Sequence, residues 1–389
     1  MASRPALWIG SLVIVALATG CSDKDDAIAA ERAKRCAGPP LTSVEQREEL
    51  LTRGYVINHG WDCIDRESWE AMERQKLAAN QAAKQASPAG AETPYSAPAQ
   101  AQVPALQKAR EGFKTAVSIP ASGAPLPDPP PELFVRSDYR NPQGRTLAAY
   151  VTPDPGDGEK HSAIIWMTGG DSNSLDDFWV EGTAGKDQSA SAYRKAGLVM
   201  MFPTLRGGNT DTGRKEFLLG EVDDVLAAAE HLARLPYVNA ESIYLGGHST
   251  GGTLVLLTAE ASTRFKAVFA FGPVSRANRY SAPLAPELGA LDLRETILRS
   301  PIEWLEGVRT PTWLIEGGES PGNREELDEL CAYTRNPAIH CIAAPGFDHF
   351  TVLEPVSRVI AARLVVAETG VEFSLRPQEF RRAASDVQQ

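Results

Sequence analysis

The chain is 389 residues long, 43% apolar and 23% charged, with a formal net charge of −11 at pH 7. Such a length suits one large α/β domain with appendages, and the composition supplies enough apolar residues for a sizeable core. The acidic balance, with no compact stripe of Lys and Arg, argues against nucleic acid as a partner, because phosphate contacts need clustered cations.

The N-terminus reads as an export signal. Arg4 supplies positive charge and residues 6–18 form an apolar run, too short for a comfortable transmembrane helix but suited to a signal-peptide core. Leu17-Ala18-Thr19-Gly20-Cys21 then resembles a bacterial lipoprotein box, with cleavage before Cys21 and acylation of its thiol. The match is imperfect, since Ala18 stands where that pattern usually has Leu. Ala16-Leu17-Ala18 would also serve an ordinary signal peptidase. Lipidation is favoured because ordinary cleavage would leave Cys21 as an odd thiol in an oxidising space. Ser22, in place of Asp, resembles lipoproteins sent on to the outer membrane. The expected location is therefore the bacterial cell envelope, lipid-anchored at the outer membrane and facing the periplasm or the cell surface.

Residues 1–20 are thus read as signal peptide, and 21–79 as a small helical appendage. Thr42-Ser43-Val44-Glu45 has capping-box form and opens an amphipathic stretch that Gly54 would stop; a second helical stretch spans residues 68–79. Cys36 and Cys63 could staple this module, and Cys331 and Cys341 could close a second short loop. Free thiols and a metal site are the rivals, the latter without CxxC or HxxxH spacing to support it. Residues 80–131, rich in Ala, Gln, Pro and Ser, read as a semi-extended linker.

From residue 132 the texture becomes that of an α/β domain, expected to run to 370 before a tail over 371–389. Residues 133–137 and 146–152 are expected as antiparallel opening strands, joined through Asn141-Pro142-Gln143-Gly144. The apolar runs 163–167, 198–202, 242–245, 267–271 and 312–315 are candidate strands. Residues 222–235 and 253–260 are candidate helices. This alternation predicts a mostly parallel sheet with helices on both faces.

Gly247-His248-Ser249-Thr250-Gly251 fits G-x-S-x-G between a strand and a helix, the setting a nucleophile elbow needs. A sharp turn there lifts the serine hydroxyl off the sheet. Thr250 would offer its N–H to an oxyanion at the helix start. Around it, Glu221-Val222-Asp223-Asp224, Leu235-Pro236-Tyr237-Val238-Asn239 and Pro203-Thr204-Leu205-Arg206-Gly207-Gly208 resemble the prolyl oligopeptidase-like and dienelactone hydrolase-like branch of the α/β-hydrolases. So do Ser300-Pro301-Ile302-Glu303-Trp304 and Val308-Arg309-Thr310-Pro311-Thr312. The resemblance covers about residues 132–370 and implies a Ser-His-acid triad with no metal or organic cofactor.

The resemblance also implies the partners of Ser249. Thr168-Gly169-Gly170-Asp171 stands where the branch has a His-Gly-Gly-like turn, so Gly170 is the second expected oxyanion donor. His349, in Gly346-Phe347-Asp348-His349-Phe350, matches the final-loop base; His59, His161, His231, His248 and His340 lie elsewhere in the pattern. The acid is the open member. In Glu316-Gly317-Gly318-Glu319-Ser320 a strict register puts Ser320 on the acid position, so neighbouring Glu319 is favoured, with Glu316 and Asp348 as rivals. The expected function is serine hydrolysis of an ester, with a peptidase of the prolyl oligopeptidase type as the near alternative. Residues 276–299 are expected as a small lid. A non-catalytic binding lipoprotein on the same fold is the alternative of another class, and the displaced acid is what supports it.

Overall fold

In a computed structural model of the protein, the residues described are 56–57, 63–64, 105–182, 187–280, 291–367, 373–375 and 379. The chain divides into two units, Met1–Lys76 and Leu77–Gln389. In the first, strands β1 (Val56–Ile57) and β2 (Cys63–Ile64) pair antiparallel, with Val56 opposite Ile64. The expected signal peptide, Cys21, the Cys36–Cys63 bridge and the two short helices lie outside the described residues.

The second unit begins its described part with helix α1 (Ala105–Arg110). Composition points to a linker over 80–131, but residues 105–131 belong to this fold. Leu106 and Val117 are buried, Ile119 bridges Lys215, and the Ser122 N–H donates to the Gly207 carbonyl. Strands β3 (Val135–Arg136), β4 (Tyr139–Arg140), β5 (Thr146–Leu147) and β6 (Ala149–Val151) follow. The β4–β5 hairpin turns at Asn141, whose side-chain oxygen accepts from the Gln143 and Arg145 N–H groups. An Asn at this place closes the loop on its own backbone, as turn chemistry predicts.

The parallel part comprises β7 (His161–Met167), α2 (Ser191–Lys195), β8 (Val199–Pro203), α3 (Gly220–Leu232), β9 (Val238–His248), α4 (Thr250–Ala261), β10 (Val268–Phe271), α5 (Leu293–Leu298), β11 (Thr312–Gly317), α6 (Arg324–Tyr333), β12 (Ile339–Ala344) and α7 (Leu353–Ala367). Among the described residues the main sheet has eight strands in the order β12-β11-β10-β9-β7-β8-β6-β3. Every neighbour pair from β12 to β8 is parallel, and β6 and β3 are antiparallel.

Both faces of this sheet are covered, which is why its central strands are continuous apolar runs. Along β7, Ala163, Ile165 and Met167 join the cluster that contains Leu254 and Leu257 of α4. Ile164 and Trp166 join the opposite cluster with Val356 and Ile360 of α7. Helix α4 is buried from Gly251 to Ala261, so protein surrounds it on every side; most of its residues are apolar, and Thr253, Thr258 and Glu260 are buried polar exceptions. Truncating Leu254 or Leu257 to Ala would cost about 2–5 kcal/mol each. No described helix is long and apolar enough to cross a membrane. Phe373, expected in the tail, packs edge-on against Trp313 and Phe269 and so extends the domain beyond 370.

Chain direction places the chemistry. β8 lies on one side of β7 and β9 on the other, so the connections diverge at the carboxyl ends of β7 and β9. Such a switch point opens a crevice between the loops that leave it. The turn after β7 and the Ser249 elbow after β9 both start there.

Cys331 of α6 and Cys341 of β12 form a disulfide, as the sequence predicts. It ties the edge strand to the helix that precedes it. Closing a loop of this length contributes roughly 2–3 kcal/mol. A Cys331→Ser, Cys341→Ser double variant should therefore melt on the order of 5–10 °C lower by differential scanning calorimetry. Unchanged melting would mean the bridge contributes nothing to this domain.

Candidate active site

Ser249 sits between the end of β9 and the start of α4 at φ 56° and ψ −115°. That backbone is costly for a residue with a Cβ, and such strain persists only where surrounding packing enforces it. Two constraints do so. The Ser249 N–H donates to the Phe271 carbonyl at 2.8 Å. Gly251 is pressed so close to the end of β7 that a Cβ there would lie 2.3 Å from the Met167 carbonyl oxygen. The glycine lets α4 start directly beneath the sheet, and the sharp turn is what remains for Ser249.

Thr250 is the first residue of α4, and its N–H has no acceptor within the helix. Across the crevice, the turn after β7 lies against Ser249: a Cβ on Gly169 would be 3.3 Å from the Ser249 Cβ. Gly170 takes φ +69°, the left-handed region that suits glycine. The turn is braced from behind. Lys215 pairs with Asp171 at 2.7 Å, and the Asn173 side-chain amide donates to the Arg206 carbonyl at 2.7 Å and to Glu221 at 3.1 Å. Arg206 itself forms a buried, two-pronged pair with Asp224, at 2.9 Å on each prong. A rigid fork of this kind fixes the loop that carries Arg206, and through Asn173 it fixes the turn.

His349 lies in the loop between β12 and α7 and is buried. Its Nδ1 meets Glu316 Oε2 at 2.8 Å. Because a carboxylate only accepts, Nδ1 carries the proton, and in the neutral tautomer so fixed Nε2 is the nitrogen with the lone pair. His349 packs over the end of β10, where a Cβ on Gly272 would be 2.4 Å from its Cε1. Ser249, bonded to Phe271, and His349, packed on Gly272, thus converge on the same strand end.

The carboxylate that meets His349 is Glu316, the rival left open by the sequence, and not the favoured Glu319. Glu316 is the penultimate residue of β11 and fully buried; besides His349 its carboxylate accepts the Gly317 N–H at 2.7 Å and the Asn323 N–H at 3.0 Å. Glu319 is exposed, and its backbone N–H donates to the Phe347 carbonyl. The Gly318 N–H donates likewise to Ala344, so the chain keeps following β12 past the strand end and turns the Glu319 side chain outward. The extra methylene of glutamate, relative to aspartate, lets the carboxyl reach His349 from within the strand. Asp348 accepts from its own turn, at Phe350 and Thr351.

A cleft of about 520 Å³ opens beside this constellation, with Gly169 and His248 in its wall. Ser122 and Ala124, from the stretch read as linker, form part of the same wall. Small polar residues in a Pro-rich run give no sequence signal for such a role. Among the described residues, no three His, Cys, Asp or Glu side chains are grouped to hold a metal ion. Glu316→Gln should lower turnover on the order of 10³–10⁴-fold, since the amide no longer stabilises an imidazolium, whereas Glu319→Gln should stay within about twofold. Steady-state rates on an aryl ester check both, and the reverse pattern would return the role to Glu319.

No curated protein matches the sequence significantly. Similar solved structures include a puromycin hydrolase (19% identity, covering 62% of this chain and 40% of that one, TM-score 0.48) and a 2,6-dihydroxy-pseudo-oxynicotine hydrolase (18%, 62% and 71%, 0.49). An esterase of Pyrococcus furiosus is similar at 16% identity over 65% of this chain and 99% of that one, with a TM-score of 0.47. The chain spans about two fifths of the length of the puromycin hydrolase. The strand order and the strained elbow define the fold. The family model described as the prolyl oligopeptidase family matches residues 186–289, which include Ser249 but neither Glu316 nor His349. The protein has an α/β-hydrolase fold, and its elbow-bearing segment matches the prolyl oligopeptidase family.

Proposed function

We propose that the protein is a serine hydrolase that works through Ser249, His349 and Glu316. The observation that carries this reading is the buried His349–Glu316 hydrogen bond at the strand end where the strained Ser249 elbow stands. Ser249 Oγ attacks the substrate carbonyl carbon while its proton passes to His349 Nε2. Glu316 holds the imidazole in the productive tautomer and stabilises the imidazolium. The Thr250 N–H and the Gly170 N–H face the developing oxyanion. The tetrahedral intermediate collapses as His349 returns the proton to the leaving group. Water, activated by the same histidine, then releases the acyl group from Ser249.

An ester is the preferred substrate and an amide or peptide the alternative, since the same residues serve both. The cleft wall is assembled mostly from the long β7–α2 connection of the domain itself, and its volume of about 520 Å³ suits a small substrate. The non-catalytic reading drew on a displaced acid, and Glu316 removes that support. A panel of aryl esters and aminoacyl amides, with Ser249→Ala as control, tests the proposal. Turnover should fall by roughly 10⁴-fold or more in the variant and be faster on esters. Equal rates in the variant would end the enzyme reading, and amide preference would reverse the choice of bond.

The envelope anchor belongs to the same proposal. It is supported by the Leu17-Ala18-Thr19-Gly20-Cys21 pattern and by the unpaired count of five cysteines. Mass spectrometry of the protein from bacterial membranes should find residue 21 at the N-terminus, carrying lipid on its thiol. A free thiol at Cys21 would remove the anchor.

A further inference from the structure

The residue before the nucleophile has work of its own. His248 is buried, ends β9 and lies with its ring centroid 4.5 Å from that of His349. Its Nε2 is 3.1 Å from the His349 backbone carbonyl oxygen. A carbonyl only accepts, so Nε2 carries the proton and the tautomer of His248 is fixed. Its Nδ1 is buried without a protein partner among the described residues. An apolar ring would suit that side of the pocket better, so packing alone does not account for an imidazole here.

His349 is held at three of its four polar groups. Its N–H donates to the Pro321 carbonyl at 3.0 Å, its Nδ1 donates to Glu316, and its own carbonyl receives the His248 proton. Nε2 is the group left for the reaction. Pro321 and Glu316 both belong to the segment that runs from β11 towards α6. His248 supplies the hold from the elbow itself, one bond along the chain from Ser249.

We infer that His248 is a positioning residue: it locks the His349 loop to the nucleophile elbow, so that base and nucleophile keep their spacing. This rests on the serine-hydrolase reading above. Burial and the neighbouring His349 hold the His248 imidazole neutral, with its pKa pushed down to about 3. It therefore remains a donor at Nε2 without placing a second positive charge beside the imidazolium that forms during turnover. A cationic side chain at 248 would oppose that charge.

The geometry gives a test that packing would not pass. The amide nitrogen of glutamine is as many bonds from Cβ as Nε2 of histidine, whereas that of asparagine matches Nδ1. His248→Gln should keep the hydrogen bond to the His349 carbonyl, while His248→Asn and His248→Phe should lose it. The expected result is kcat within a few-fold of wild type for Gln and reduced on the order of 10- to 100-fold for Asn and Phe, with KM little changed. The downfield proton resonance of the His349–Glu316 bond, read in the folded protein without substrate, should persist in Gln and broaden or vanish in Asn and Phe. Phe matching wild type in both readouts, or Asn rescuing as well as Gln, would overturn the inference. Wild type failing to turn over any ester or amide, with Ser249→Ala no different, would instead sink the hydrolase reading, and the resonance would still report on the lock.

Discussion

The geometry of the candidate site depends on a carboxylate buried where water does not reach it. Glu316 lies within β11 with no exposed surface, and a charge there is tolerated only if its oxygens are satisfied. The Gly317 and Asn323 N–H groups and His349 Nδ1 satisfy them. Each donor comes from a different piece of chain: the strand end, the start of α6 and the β12–α7 loop. Folding these pieces around one carboxylate is what brings His349 over Gly272, and Gly272 lies next to Phe271, the residue that fixes Ser249. Electrostatic need and reaction geometry are thus met by the same contacts.

The second constraint is steric. Helix α4 is buried on all sides and enters directly below β7, close enough that only glycine fits at 251. The strand-to-helix turn must then be completed within Ser249, which takes the strained conformation and presents its side chain to the crevice. The elbow therefore follows from packing a buried helix against a fully covered sheet. Its position at the β7–β9 switch point follows from strand order. The cleft walls are loops braced by the Arg206–Asp224 fork and, on one side, by the segment around Ser122.

Much of this was legible in the amino-acid pattern, for physical reasons. Strands covered on both faces are continuous apolar runs, so 163–167, 198–202, 242–245, 267–271 and 312–315 announced themselves, and the helix after Ser249 did so by its apolar length. Edge strand β12 did not. Its residues Ile339-His340-Cys341-Ile342-Ala343-Ala344 alternate in exposure, and His340 and Cys341 break the apolar run. The 105–131 segment was hidden by its Pro and Ala content, because it is held by scattered contacts, such as the backbone bonds of Ile119 and Ser122 and the Thr115–Glu295 hydrogen bond, that leave no periodic pattern. The carboxylate partner of His349 was misplaced by register. A pattern written for aspartate after the strand points to Glu319, while the longer glutamate side chain works from the strand itself. His248 carried no signal either, since its role depends on a carbonyl 101 residues away in sequence.

The central claim is that the buried Glu316–His349 pair activates Ser249 as a nucleophile. The most direct measurement is mass-spectrometric mapping of a fluorophosphonate adduct on the folded protein, with the labelling rate followed in wild type and in Glu316→Gln. The account predicts a single covalent adduct on the peptide that contains Ser249, formed quickly by wild type and far more slowly by the variant. No adduct on Ser249 in the folded protein, or equal rates in the two proteins, would contradict it.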